Sequence, residues 1–297
     1  MTLCIAAVCD DGPDSDPKIV LCSDMERETE GIGSSETEDK VGFVRAGWPV
    51  LMAGTLTRAN ELMNVYAGYL SQHDKGINEF NLLDHLRKPA HIQKAKLVDH
   101  YLEQAFSFNR AYFYGDGKAK LSEEFVSRQQ DMISRIKLDA SLLIAGFIAE
   151  SDYSNGTVNQ RPFLCVVDDS KSAFGVEDVT LEYECEAIGS GAGTALSMLF
   201  RREQESTDSL PCTIYNLYEA NCMSDKVPGV GRDILNVDVL YSDGKMKTLT
   251  EDGYKYLRAR FKRFGPKPIK AQDIELKPDF LEPYSIERTE PSPSQGT

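Results

Sequence analysis

The strand-like segments of this sequence occur in groups, and helical segments fill the intervals between those groups. The first strand-like segment, residues 2–9, is apolar on both faces, which is typical of a strand buried on both sides of its sheet. Short loops rich in Gly, Asp and Pro separate neighbouring strands and favour antiparallel hairpins. Strands are predicted over residues 2–9, 18–24, 40–45, 49–54, 140–149, 161–167, 172–174, 182–188, 233–241 and 246–249.

Apolar residues recur at steps of three and four in the intervals, which is the period of an amphipathic helix. Pro89 is expected to end one of these helices, because its ring removes a backbone donor and collides with the preceding turn. Helices are predicted over residues 56–70, 78–86, 95–108, 194–202, 213–222 and 251–264.

Grouped strands and grouped helices favour antiparallel sheets covered by helices over alternating βαβ units. The predicted fold class is therefore α+β, a four-layer αββα sandwich of two antiparallel sheets between helical layers. Residues 2–264 are predicted to form one domain with a helical insertion around residues 80–136. Residues 265–297 hold 6 of the 13 prolines and are predicted to be a tail or arm with little core of its own.

Composition excludes several classes of function. The chain has 33 Lys and Arg against 47 Asp and Glu, which argues against binding a nucleic-acid backbone. The most apolar stretch, residues 142–149, is too short to span a bilayer, and no secretory signal is expected at the start. Seven cysteines without a CxxC pair indicate reduced thiols in a cytoplasmic protein, not a disulfide framework or a zinc site.

Familiar catalytic and cofactor motifs are missing from the sequence. The histidines are His73, His85, His91 and His100, all within the predicted helical region between the first two groups of strands, and none of them is assigned a role. The glycine-rich residues 189–193 (GSGAG) lack the spacing of a dinucleotide-binding or phosphate-binding loop. No metal or organic cofactor is expected.

Thr2 is the first candidate for chemistry. Its side chain is small enough that removal of Met1 is expected, which would leave Thr2 at the N-terminus. A terminal threonine carries a hydroxyl nucleophile and an α-amine whose ordinary pKa of about 8 suits a general base. Threonine and its terminal amine are a known pair for acyl transfer, although Thr is also a common second residue.

The residues that follow Thr2 give this position a framework. LCSDMER places Asp24 at the end of a strand, Lys40 follows it by 16 residues, and LMAG places Gly54 another 14 residues on. This arrangement resembles the proteasome β-subunit family of N-terminal-nucleophile hydrolases, including the HslV peptidase and the ancestral-type bacterial β homologues. Two weaker matches follow, Ser190 in GSG before a helix and Asp225 in MSDKVPG after the next helix.

The resemblance implies a threonine-type peptidase or amidase. The Thr2 hydroxyl would attack a carbonyl carbon, and the Thr2 amine would accept the proton. Lys40 would favour the unprotonated amine by its positive charge, and Asp24 would hold Lys40 in place. The Gly54 N–H would stabilise the oxyanion.

Ser190 and Asp225 would orient the Thr2 amine, by the same resemblance. The sequence departs from the family pattern at Pro228, where the family has a Ser that hydrogen-bonds this amine. Without the family, these residues read as ordinary caps, turns and surface charges.

The resemblance also places a substrate pocket beside the nucleophile. Its lining would be Arg27, Glu28, Glu38, Met52 and Leu56. Because the adjoining segment is strongly acidic, we expect some preference for a basic group in the substrate. A solvated acidic loop is the alternative reading.

Three functions remain open at this point. The first is a threonine peptidase acting on peptides or proteins, which the resemblance implies is a homo-oligomer, with a ring as the candidate assembly. The second is a catalytically silent proteasome-like scaffold, which Pro228 favours. The third is a small-molecule amidohydrolase of the same fold, favoured by the insertion at 80–136. The chain does not show whether an ATPase partner exists.

Overall fold

The computed structural model describes residues 3–10, 15–24, 26–27, 36–37, 40–73, 76–115, 117–152, 157–169, 175–180, 184–224, 235–265 and 277–283. The strands are β1 (Leu3–Cys9), β2 (Lys18–Asp24), β3 (Glu26–Arg27), β4 (Glu36–Thr37), β5 (Val41–Arg45), β6 (Trp48–Gly54), β7 (Ala140–Asp152), β8 (Thr157–Val167), β9 (Val176–Asp178), β10 (Cys185–Gly189), β11 (Leu235–Tyr241), β12 (Met246–Leu249) and β13 (Leu281–Pro283). The helices are α1 (Leu56–His73), α2 (Leu82–Phe106), α3 (Arg110–Tyr114), α4 (Glu123–Ser134), α5 (Ala192–Arg201), α6 (Leu210–Ser224) and α7 (Glu251–Phe264).

The strands form two larger antiparallel sheets and one short ribbon. The first sheet has six strands in the order β10-β1-β2-β11-β12-β13, and the second has five in the order β5-β6-β7-β8-β9. Every pairing in them is antiparallel. The short ribbon pairs β3 with β4.

Strand β1 shows how the layers are built. Its residues Leu3 and Ile5 pack in a core shared with α5, α6 and α7, while Cys4 and Ala6 pack against the second sheet. Because successive side chains of a strand point to opposite faces, a strand that is apolar throughout fits between two cores. The reading of residues 2–9 as a strand buried on both faces is thus confirmed over Leu3–Cys9.

A third core completes the sandwich. Helices α1 and α2 cover the outer face of the second sheet, where Tyr66, Leu70 and Leu86 are fully buried. The layers are therefore helices, first sheet, second sheet and helices. The predicted α+β four-layer sandwich is confirmed.

Helix α7 shows why some boundaries could be predicted. The Thr250 hydroxyl caps it by accepting a hydrogen bond from the Gly253 N–H at 3.3 Å. Glu251 and Asp252 lie in the first turn, and basic residues lie in the last, where each sign complements the helix dipole. The observed helix has the predicted bounds of residues 251–264.

The expected helix end at Pro89 is wrong. Helix α2 runs through Pro89, which lies inside it and is buried. The prolyl ring removes one backbone hydrogen bond, but Leu86 and Ala90 on either side pack in the core beneath the helix. Because most helix stability in a protein comes from such packing, the helix continues.

Strands β9 and β13 of the structure were not predicted. Strand β9 lies at Val176–Asp178, and the strand predicted nearby at residues 172–174 lies outside the described residues. In the segment predicted to be a tail, β13 pairs with β12, and Phe280 is buried in the core of the first sheet. The proline content of the segment did not predict this added edge strand.

Gly146 in β7 gives space to an aromatic pair. The rings of Trp48 and Phe163 meet edge to face with centroids 4.7 Å apart, and a Cβ at Gly146 would lie 2.7 Å from Trp48 Cδ1. Gly193 in α5 has no such neighbour within 4 Å.

We expect Gly146→Ala to lower the free energy of unfolding by about 1–3 kcal/mol, because the added methyl group overpacks a filled core. Gly193→Ala is the matched control, and it should stabilise the protein by up to about 1 kcal/mol through helix propensity. Urea denaturation of the two variants measures both effects. Equal stability of the two variants would contradict the packing at Gly146.

Candidate active site

A buried ion pair lies at one end of the sandwich. Asp24 is the last residue of β2 and is fully buried, and Lys40 directly precedes β5 and is 6% exposed. The Lys40 ammonium donates to Asp24 Oδ1. Since Asp24 belongs to the first sheet and Lys40 leads into the second, this pair links the two sheets.

The other carboxylate oxygen of Asp24 binds the start of the chain. Asp24 Oδ2 accepts a hydrogen bond from the Leu3 N–H at 3.1 Å. One carboxylate therefore holds both a buried cation and the main chain of the residue that follows Thr2. Removing either charge would leave the other buried without its counterion, which is costly in a protein interior.

Strand β6 lies against the same end of β1. The Met52 N–H donates to the Lys40 carbonyl at 3.1 Å, and the Cys4 thiol donates to the Met52 carbonyl at 3.4 Å. Two residues later, Gly54 ends β6 with a φ of +97°. A Cβ at Gly54 would lie 2.7 Å from the Asp139 carbonyl oxygen, so both the backbone angle and the space require glycine.

Strand β10 brings a further predicted residue to this end. Leu3 pairs with Gly189, and the exposed Ser190 follows Gly189 directly. Gly189 has a φ of +96°, which helps the chain turn from β10 into α5. The structure thus brings Asp24, Lys40 and Ser190 around the start of β1, with Gly54 at the neighbouring strand end.

Several predicted site residues cannot be placed in this geometry. The described residues do not include Thr2, Glu28, Glu38, Asp225 or Pro228. The side chain of Arg27 lies outside them as well, although its backbone belongs to β3. Helix α6 ends at Ser224, directly before Asp225.

Two residues of the predicted pocket are described. Met52 is buried in the core between the second sheet and the helices α1 and α2. Leu56 is half-buried and begins α1.

The site contains a thiol that could be mistaken for a nucleophile. Cys22 lies two residues before Asp24, and burial raises the pKa of its thiol well above the usual range, with the neighbouring Cys222, Cys4 and Asp24 adding to the effect. Because the thiolate is the reactive form, Cys22 is not activated for attack. Cysteine chemistry at this residue is thereby disfavoured.

Sequence reasoning did not single out Ser23. Its hydroxyl is buried and has no hydrogen-bond partner among the described residues. It pairs across the first sheet with Cys4 and Asn236, next to Asp24. Its place in LCSDMER, directly before the acidic residue, was the available signal.

A second buried ion pair was also missed. Arg202 directly follows α5, and its guanidinium donates two hydrogen bonds to the Glu219 carboxylate of α6, with Nη2 2.5 Å from Oε1. Both side chains are almost fully buried. The pair joins α5, which begins two residues after Ser190, to α6, which ends at Ser224, and no motif marks it in the sequence.

Comparison with known proteins adds no family assignment. A scan against models of protein families gives no match, and a search of curated proteins gives none either. Among the described residues, no helix is long and apolar enough to cross a membrane, and no group of His, Cys, Asp or Glu side chains could hold a metal ion.

The Asp24–Lys40 pair predicts a stability pattern. Asp24→Ala should lower the free energy of unfolding by about 3–5 kcal/mol, because the Lys40 ammonium is left buried without its counterion. The double variant Asp24→Leu/Lys40→Met should recover most of this loss by replacing the pair with apolar groups.

Urea denaturation of each variant measures this pattern. The control is Asp252→Ala, which breaks an exposed ion pair with Lys255. Its free energy of unfolding should change by less than about 1 kcal/mol. Equal losses at Asp24 and Asp252 would contradict the buried pair.

Proposed function

We propose that this chain is a threonine-type peptidase in which Thr2, exposed by removal of Met1, is the nucleophile and its α-amine is the base. The observation that carries the proposal is the double contact of Asp24, which binds the Lys40 ammonium and the Leu3 N–H. Thr2 is bonded to Leu3. The carboxylate that holds the buried cation therefore also holds the residue that follows Thr2 in the sequence.

The chemistry follows from the charges at this end of the sandwich. The Thr2 hydroxyl attacks a peptide carbonyl, and its proton passes to the Thr2 amine, directly or through a water molecule. That amine then protonates the leaving amine as the peptide bond breaks, which leaves an ester on Thr2. Water hydrolyses the ester and restores the hydroxyl.

Lys40 and Asp24 act together in this proposal. A nearby ammonium disfavours further positive charge, so Lys40 keeps the Thr2 amine available as a base. Asp24 holds that ammonium in a buried position where solvent screens its charge little. The second contact of Asp24 fixes the distance between the ammonium and the start of the chain.

The remaining residues complete the site. Gly54 supplies the N–H that stabilises the oxyanion. Its positive φ turns the backbone away from the regular strand conformation at this residue, which supports that role. Ser190 and Asp225 orient the Thr2 amine. For Ser190, the support is that Leu3 pairs with Gly189, the residue directly before Ser190.

The substrate is proposed to be a peptide or protein. The substrate pocket is proposed to be lined by Arg27, Glu28, Glu38, Met52 and Leu56. Its acidic residues would attract a basic group of the substrate. The protein is proposed to act in the cytoplasm as a homo-oligomer, with a ring as the candidate assembly. None of the seven cysteines is in a disulfide, which supports a reducing compartment.

The helical insertion favours a second candidate function. Helices α2, α3 and α4 enclose a small core of their own around Leu102, Phe113 and Val126, outside the two-sheet sandwich. Such an added layer would hinder packing into a ring. A small-molecule amidohydrolase with the same Thr2 chemistry is the alternative, and light scattering of the purified protein separates a ring from a smaller form.

The first test of the proposed function addresses Thr2. Intact mass should show that Met1 is absent, and a peptide epoxyketone should add once, because the adduct needs a hydroxyl and a free amine on one residue. Thr2→Ala should lose both the adduct and peptide turnover, while Thr2→Ser should keep the adduct. Retention of Met1, or full turnover by a folded Thr2→Ala variant, would sink the proposal.

The second test separates chemistry from stability at the ion pair. The double variant Asp24→Leu/Lys40→Met should fold yet lower kcat/KM by at least about 100-fold, the range of a lost acid–base function. The control Lys255→Ala removes an exposed partner of Asp252 and should leave kcat/KM unchanged. Normal turnover by the double variant would show that Lys40 has no part in the reaction.

A further inference from the structure

A groove runs along the helical layer that covers the second sheet. Its main cavity, about 820 Å³, lies between α1 and α2, and it meets a second cavity of about 390 Å³ at the end of α4. The two share Arg58, Leu97 and His100. We call the two cavities together the helical groove.

The helical groove has unpaired positive charge. Lys96 lines the first cavity, and Arg135 and Lys137 line the second. All three are exposed, and none of them forms an ion pair with another described residue. The acidic residues in the lining are Glu61, which pairs with Arg58 at 3.1 Å, and Asp139.

This charge contrasts with the rest of the chain. The whole sequence has 33 Lys and Arg against 47 Asp and Glu, whereas residues 80–137 have ten against seven. Basic residues are thus concentrated in the helical segment that forms one side of the groove. A local basic surface on an acidic protein attracts short acidic segments, while the overall charge opposes a long polyanion such as a nucleic acid.

The helical groove also has apolar residues in its lining. Val65 and Leu97 line the first cavity together with Ile92, which is 40% exposed. Gly68 leaves open space there, since a Cβ at this residue would meet no atom within 4 Å. Apolar side chains of a bound peptide would pack against these residues while its carboxylates contact the basic ones.

We propose that the helical groove binds an acidic segment of a partner protein, in which carboxylates alternate with apolar side chains. The volume suits a short peptide, since binding pockets for small ligands span roughly 300–1,000 Å³. Binding at the groove does not depend on the proposed Thr2 chemistry.

The second cavity of the helical groove lies close to Gly54 of the proposed active site. Asp139 lines the second cavity, and its carbonyl accepts the Thr55 N–H at 3.1 Å, next to Gly54. A partner held in the groove would therefore end near the rim of the proposed active site.

The test uses a labelled decapeptide of alternating Glu and Leu, followed by fluorescence anisotropy with the full chain. The variant Lys96→Glu/Lys137→Glu reverses two charges of the groove. The control Lys118→Glu/Lys120→Glu makes the same charge change at two exposed lysines of the same insertion, outside the groove lining.

The groove variant should raise Kd by at least about tenfold, and the control by less than about threefold, because close charges act more strongly than distant, screened ones. A peptide with Lys in place of Glu should not bind. Equal losses in both variants, or no binding to the unaltered chain, would overturn the proposal.

Two further measurements separate peptide binding from self-association and from catalysis. If light scattering shows that the groove variant dissociates an oligomer while the free peptide does not bind, the groove is an interface between copies and the proposal fails. Binding should persist in Thr2→Ala. Failure of the epoxyketone test with intact peptide binding would therefore remove the proposed function alone.

Discussion

The contact of Asp24 with both Lys40 and Leu3 is the interaction on which the proposed active site of this protein depends. It joins the last residue of a strand in the first sheet to the residue that opens the second. Two buried charges are stable only as a pair, so the sheets are held at a fixed separation where the pair lies. The chain's start is bound to the same carboxylate.

The two helical layers serve this arrangement in different ways. One layer holds α5 and α6 together through Arg202 and Glu219, and these helices lead from Ser190 and into Asp225. The other layer carries the helical groove, whose end reaches Asp139 beside Gly54. The proposed chemistry and the proposed binding surface therefore meet where β6 ends and β7 begins in the second sheet.

Local sequence signals predicted the elements well where packing and local preference agree. Thr250 and the charges of α7 mark that helix fully, and the apolar run of β1 marks a strand between two cores. They failed at Pro89, where packing of the neighbouring side chains outweighed a local penalty. They also missed Phe280, because a short apolar group in a proline-rich segment gives no periodic signal.

The sequence by itself determined the grouping of strands and of helices, the spacing of Asp24, Lys40 and Gly54, and the acidic balance of the chain. Only the tertiary structure decided that Asp24 holds Lys40 and Leu3 together, that Arg202 meets Glu219, and that basic residues line one groove. The physical reason is distance along the chain. Periodicity and capping act over a few residues, whereas these contacts form only when two sheets and two helical layers pack together.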